Sequence, residues 1–153
     1  MALDLFNEAL RQLQAVTIVD CPFASNASVR LTELEYLLAH DLHAKEYDLN
    51  QWPNLDTPGQ LLIHLQDTIP NELPVFSHGD LCAANVFVDG KDQLHFIDLG
   101  RGGIADRWLD IAFIHRNLRE EISQNAAENF LTGLGERDES AKREFFEQLD
   151  ELF

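Results

Sequence analysis

Three polar residues in one stretch of the sequence have the types needed to hold a hard cation and to accept a proton. Asp80, Asn85 and Asp98 offer only oxygen donors, two carboxylates and an amide. Such a set suits magnesium, which keeps several waters and takes its remaining ligands from phosphates. A carboxylate in the same place can also receive the proton of an attacking hydroxyl. Turns favour Asp and Asn for their own backbone hydrogen bonds, so each residue taken singly has a structural explanation. Their joint placement at the ends of successive strand-like runs argues against it. His78 and Gly79 precede Asp80, and a glycine-rich turn follows Asp98. Cys82 lies near His78, but nothing close in sequence would orient a thiol and an imidazole as a pair, so it reads as a small buried cysteine.

The elements that must position these residues follow from periodicity. Leu73–Ser77, Val86–Val88 and Leu94–Ile97 are short runs rich in β-branched and aromatic residues, and Asp89-Gly90 is a tight-turn signal between the last two. Loops held by strands are where a rigid element can fix an exposed polar side chain. Helices surround this insert. Leu3, Phe6, Ala9, Leu10 and Leu13 recur at helical spacing, as do Leu31, Leu34, Leu37 and Leu38. Thr57-Pro58 is an N-cap followed by proline at the first helical position, with Leu61, Leu62 and Leu65 behind it. Beyond Asp106 the pattern is helical again, with Trp108, Ile111, Ala112 and His115 on one face, then 126–131 and 141–152. The expected fold is α+β, mainly helical, with a small β-hairpin insert carrying the catalytic loop. Gly100-x-Gly102-x-x-Ala105 mimics a dinucleotide fingerprint, but that motif needs a parallel strand after its helix and an acid about 20 residues on. Helical pattern alone follows, which excludes it.

Composition narrows the partners. The chain has 153 residues, 27 acidic against 11 basic, for a net charge of −16. That is one domain's worth of chain, able to bury a core without disulfides. A field this negative repels phosphate backbones and anionic lipid headgroups, so no nucleic acid and no membrane surface is expected; a polycationic partner gains weight, although solubility alone also accounts for the excess acid. Cys21 and Cys82 form neither a disulfide framework nor a zinc knuckle, which fits a reducing cytoplasm. No export signal and no apolar run of ~20 residues is visible.

His78-Gly79-Asp80 with Asn85, then Phe96-Ile97-Asp98-Leu99-Gly100-Arg101, then Asp106 and Asp110, resembles the catalytic-lobe signature of the aminoglycoside phosphotransferases within the kinase-like superfamily. Asp20-Cys21-Pro22, Arg30-Leu31-x-Glu33-Leu34, the stretch from Arg116 to Glu120 and the ending Leu149-Asp150-Glu151-Leu152-Phe153 resemble its 3'-phosphotransferase branch. The resemblance covers practically the whole chain and implies the C-terminal lobe of the protein-kinase-like fold, residues 1–153 forming a single catalytic and substrate-binding lobe. It implies ATP and Mg2+ as cofactors and an aminoglycoside antibiotic as substrate. Asp80 would be the base, His78 a scaffold histidine of the catalytic loop, and Arg101 a residue near the phosphoryl group. Asn85 and Asp98 would be the metal ligands. Arg116, Glu120, Glu121 and the carboxylate of Phe153 would meet the drug. In the loop from Tyr47 to Asp56, shorter and less acidic than the family's, Asp48 and Asp56 are the candidates to stand in for its drug-gripping acids.

The family also cradles a triphosphate with a glycine-rich loop and a strand lysine. Here no glycine precedes Gly59, and Lys45, Lys91 and Lys142 lie outside any β run ahead of the catalytic loop. The N-terminal ATP-binding β-lobe is therefore expected to be absent, leaving a homodimer or a missing-lobe partner open. Alternatives to an enzyme are an acidic aminoglycoside-binding module without chemistry, or the remnant of a longer reading frame.

Overall fold

Side-chain oxygens start most of the helices. Asn26 accepts from Val29 N, Asp106 from Trp108 N and Ser123 from Ala126 N, each satisfying an amide that the first helical turn leaves unpaired. Thr57 and Gln60 form a reciprocal capping box with Pro58 at the first position, as the sequence predicts. The computed structural model describes residues 2–153, with side chains from Asp4 onward, so the Leu3 side chain lies outside the described residues.

Along the described chain the order is α1 (Ala2–Gln14), α2 (Ala27–Ala39), α3 (Pro58–Asp67), β1 (Pro74–Ser77), β2 (Val86–Val88), β3 (Leu94–Phe96), β4 (Gly103–Asp106), α4 (Arg107–Glu121), α5 (Gln124–Gly133) and α6 (Ser140–Asp150). Short 3-10 turns occupy Ala83–Asn85 and Leu99–Arg101. The predicted helices are all present, and α2 begins four residues earlier than its leucine pattern, at Ala27 behind the Asn26 cap.

The strands depart from expectation in two ways. β4, read from sequence as part of a glycine-rich turn, pairs antiparallel with β1, Ser77 facing Gly103 and Pro74 facing Asp106. Its glycine hid it. A Cβ on Gly103 would lie 2.8 Å from Phe23 O, and that close approach lets residues 23–25 join β4, through Ile104 N to Phe23 O and Ser25 N to Ile104 O, each 2.9 Å. The antiparallel pairing also removes any dinucleotide-binding βαβ unit. In the β2–β3 hairpin the turn is longer than an Asp-Gly pair. Asp89 accepts from Lys91 N, Gln93 N and His95 Nε2, and Asp92 takes the left-handed conformation at φ 59°. These bonds hold the Asp89 carboxyl down at about 2, the one from His95 contributing most.

α4 is the centre of the molecule. Every residue from Trp108 to His115 is buried, so the single apolar face expected from periodicity is in fact a helix covered nearly all round by α1, α5, α6 and β1. Asp106 and Asp110 break the apolar run because they bond inward: Asp106, fully buried, accepts from Leu73 N at 2.7 Å and from Lys142 Nζ at 2.8 Å. No helix among the described residues is long and apolar enough to cross a membrane.

His115 lies where α4 meets α6, with Arg119 Nη1 and Arg143 Nη1 each 3.4 Å from its Nδ1. Arg119 is paired with Glu147 and Arg143 with Asp138. Burial, and then the two arginines, lower the imidazole to about 4 against an ordinary value of 6.5. The folded ring is neutral while the unfolded ring takes up a proton as pH falls, so stability drops from pH 6.5 towards 4 and levels below it. Urea unfolding across that window should show a shallower fall for His115→Asn than for the native chain, and parallel curves would count against this.

Candidate active site

Asp110 builds the loop that presents Asp80. Its carboxylate, inside α4 and only 2% exposed, accepts from His78 N at 2.8 Å and Gly79 N at 3.1 Å. Burial raises its pKa, and these two amides oppose the rise. The wholly buried His78 ring then bridges two elements, with Nε2 donating to Ile97 O at 2.8 Å and Nδ1 accepting from Asp80 N at 3.2 Å. Both ring nitrogens are used. This arrangement gives His78 a scaffold's bonds and leaves nothing to activate Cys82, which is half-buried and faces elsewhere.

Gly79 is where the loop crosses the turn after β3. At φ 86° it sits in the left-handed region, and a Cβ there would come within 2.3 Å of Arg101 O. Ser25 Oγ donates to the same carbonyl at 2.5 Å. Asp98 itself adopts φ 57°, a conformation that Asp tolerates better than most residues, and it turns the chain sharply out of β3.

Asp80 and Asp98 are exposed and line one cleft of about 490 Å3, together with Gly100, Arg101, Asp150 and Phe153. Asn85 is buried beside Asp80, its Nδ2 donating to Asp80 O at 2.8 Å. That bond takes up the amide nitrogen, so Oδ1 is the atom that could face a metal. Two carboxylates and an amide oxygen suit a hard divalent cation; among the described residues no group of three or more His, Cys, Asp or Glu side chains is placed to hold a metal ion.

A second cleft of about 640 Å3 shares Asp150 and is lined by Asp48, Gln51, Trp52, Arg116, Glu120, Glu147 and Glu151. Its five acids face a single arginine. Arg116 reaches Asp150 at 2.9 Å and Arg101 reaches it at 3.3 Å, so both predicted arginines act first on this carboxylate. Glu151 accepts from Asp48 N at 2.6 Å, yet burial still raises its carboxyl above the usual range.

Of the expected drug-facing residues, Glu120 and Arg116 line the acidic cleft, and Phe153 lines the neighbouring one. Glu121 does not join them. It borders an apolar groove with Phe6, Cys82, Ala83, Leu118 and Ile122, because consecutive helix residues point about 100° apart. Asp48 reaches the cleft, whereas Asp56 stands beside the α3 capping box, its amide bonded to Gln60 Oε1. Trp52 and Glu147 were not singled out from the sequence: a tryptophan in a polar loop and a helix glutamate carry no spacing signal.

Gly79→Ala should lower the unfolding midpoint by several degrees, on the order of 5 °C or more, because neither the φ nor the carbonyl contact admits a methyl group. Gly59→Ala in α3, which meets nothing within 4 Å, is the control and should be neutral or stabilising by up to ~1 kcal/mol. Equal midpoints for the two variants would show that the crossing is not held as described.

Residues 1–146 match the family described as the phosphotransferase enzyme family. The chain is 40% identical over 154 residues to the aminoglycoside 3'-phosphotransferase of Acinetobacter baumannii, covering 98% of this chain and 59% of that protein. It is 42% identical over 149 residues to the Campylobacter jejuni enzyme of the same name, covering 95% and 58%. Among solved structures, an aminoglycoside 3'-phosphotransferase of type VIII superposes with a TM-score of 0.82 at 29% identity, over 99% of this chain and 60% of that one. A Streptomyces rimosus aminoglycoside phosphotransferase, solved with ADP and streptomycin, gives 0.76 at 27% identity over 97% and 60%. The chain thus spans about three fifths of the length of these relatives. Its helical fold is that of the C-terminal lobe of kinase-like phosphotransferases, and the chain belongs to the phosphotransferase enzyme family.

Proposed function

We propose that the chain is the catalytic and substrate-binding lobe of an ATP-dependent aminoglycoside 3'-phosphotransferase, an antibiotic-resistance activity. The observation that carries this reading is that Asp80 and Asp98 line one cleft, with Asn85 bonded behind Asp80, and that the wall of this cleft, Asp150, is shared with a cleft lined by five acids. An exposed carboxylate on a rigid loop beside an anionic pocket suits a hydroxyl on a polyamine.

In this reading the amines of the drug settle against Asp48, Glu120 and Glu151, and the negative field of the chain draws the polycation in. Its hydroxyl donates to Asp80, which orients it and takes its proton at the carboxylate oxygen. Asn85 Oδ1 and Asp98 would hold magnesium. Bound there with ATP, such an ion would supply charge neutralisation for the transferred phosphoryl group. Arg101, at the cleft edge, adds a fixed positive charge.

The 153 residues offer little to grip the rest of a triphosphate. Lys142 is bonded to Asp106, Lys45 to Asp41, and Lys91 lies on the exposed hairpin turn. The chain alone should therefore bind the drug while turning over slowly, if at all. Calorimetry with kanamycin should give binding that weakens as salt rises, since the contacts are charge on charge. Glu120→Gln should weaken it, and its complete absence at low salt would sink the proposal. A coupled ADP-release assay is expected to stay well under ~1 per second, the low end for kinases, and a faster rate would show that the lobe suffices alone. Asp80→Asn should cut any residual turnover by about 100-fold or more while kanamycin affinity stays within about threefold.

A further inference from the structure

Arg30 projects from α2 into the interior, 3% exposed, and none of its three guanidinium nitrogens has a hydrogen-bond partner. Charged groups are rarely buried in this way, because losing water is costly unless something replaces it. Two things replace it here. Nη2 stands 3.9 Å from Asp150 Oδ1, too far for a hydrogen bond but close for charge attraction, and the guanidinium carbon lies 4.2 Å from the centroid of the Phe153 ring. Arg101 approaches the same ring at 4.8 Å and the same carboxylate at 3.3 Å. Arg30 therefore acts through charge and through its flat face.

Asp150 gathers three arginines, Arg30, Arg101 and Arg116, and its single negative charge is more than offset. It consequently stands as a post between the two clefts, both of which it lines. Phe153 stands on the same post. We propose that Arg30 is a positioning residue, whose buried charge fixes the Phe153 ring and Asp150 at the junction of the clefts and so sets the affinity for a polycationic ligand. The affinity half of this rests on the function proposed above; the fixing of Phe153 does not.

The test separates the two. Release of Phe153 from the folded chain by a carboxypeptidase needs no ligand. Arg30→Met removes the charge and keeps an unbranched apolar stem, and should speed release by about tenfold or more, while Arg30→Lys restores the charge without the planar face and should fall between Arg30→Met and the native chain. Arg30→Met should also weaken kanamycin binding by about tenfold, and in an Arg30→Met/Phe153→Ala pair the two losses should not add. Thermal unfolding checks that each variant folds, with Arg30→Gln replacing Arg30→Met if the latter does not. Native-like release and affinity in the uncharged variant would overturn the proposal, as would an Arg30→Lys chain that behaves like Arg30→Met. If the native chain binds no kanamycin, the functional reading fails, and the release rates alone decide the role of Arg30.

Discussion

The site depends on one buried carboxylate. Asp110 reaches out of the central helix to the amides of His78 and Gly79, and through them it sets the crossing at Arg101, the orientation of His78 and the height at which Asp80 stands. A helix residue is well suited to this because the backbone of α4 is rigid and enclosed on nearly every side. Water would compete for those amides on an exposed loop. Sealed inside, a carboxylate that accepts two of them is held by bonds that a low-dielectric surrounding strengthens.

Around this fixed point the charges are sorted by depth. Cations gather behind Asp150, and the adjoining cleft adds Asp48, Glu120 and Glu151, which have no arginine partner among the described residues. The excess of 27 acids over 11 bases is thus partly a local arrangement. Arginine carries most of it. Its planar head bonds in a fork at Glu147, Asp138 and Glu136, and stacks on Phe113 and Phe153, where a lysine would offer only a point charge.

Much of this could be read from the residues. The six helices, the hairpin and the placing of Asp80, Asn85 and Asp98 at strand ends were legible because periodicity, caps and turn residues are local signals. β4 was not, since its glycine is explained only by Phe23, far away in sequence. The reach of Asp110 was hidden for a similar reason: a lone acid in an apolar helix names no partner. Glu121 was misplaced by adjacency to Glu120, a neighbour in sequence that helical geometry turns to another face. Arg30 was visible as part of a motif, but its lack of any hydrogen-bond acceptor is a property of three-dimensional packing alone.

The segment from Phe23 to Ser25 has a consequence for how the molecule assembles. It ties the first part of the chain to β4 and to the Arg101 carbonyl, across a separation of 76 residues at Ser25. Local helices can form early, whereas closing so long a loop carries an entropic penalty that is recovered only when the contacts beyond it form. The loop bearing Asp80 abuts that same carbonyl through Gly79. Its geometry is therefore among the last features to be set as the chain folds, and a chain that has only collapsed would hold all the residues of the site without yet having the site.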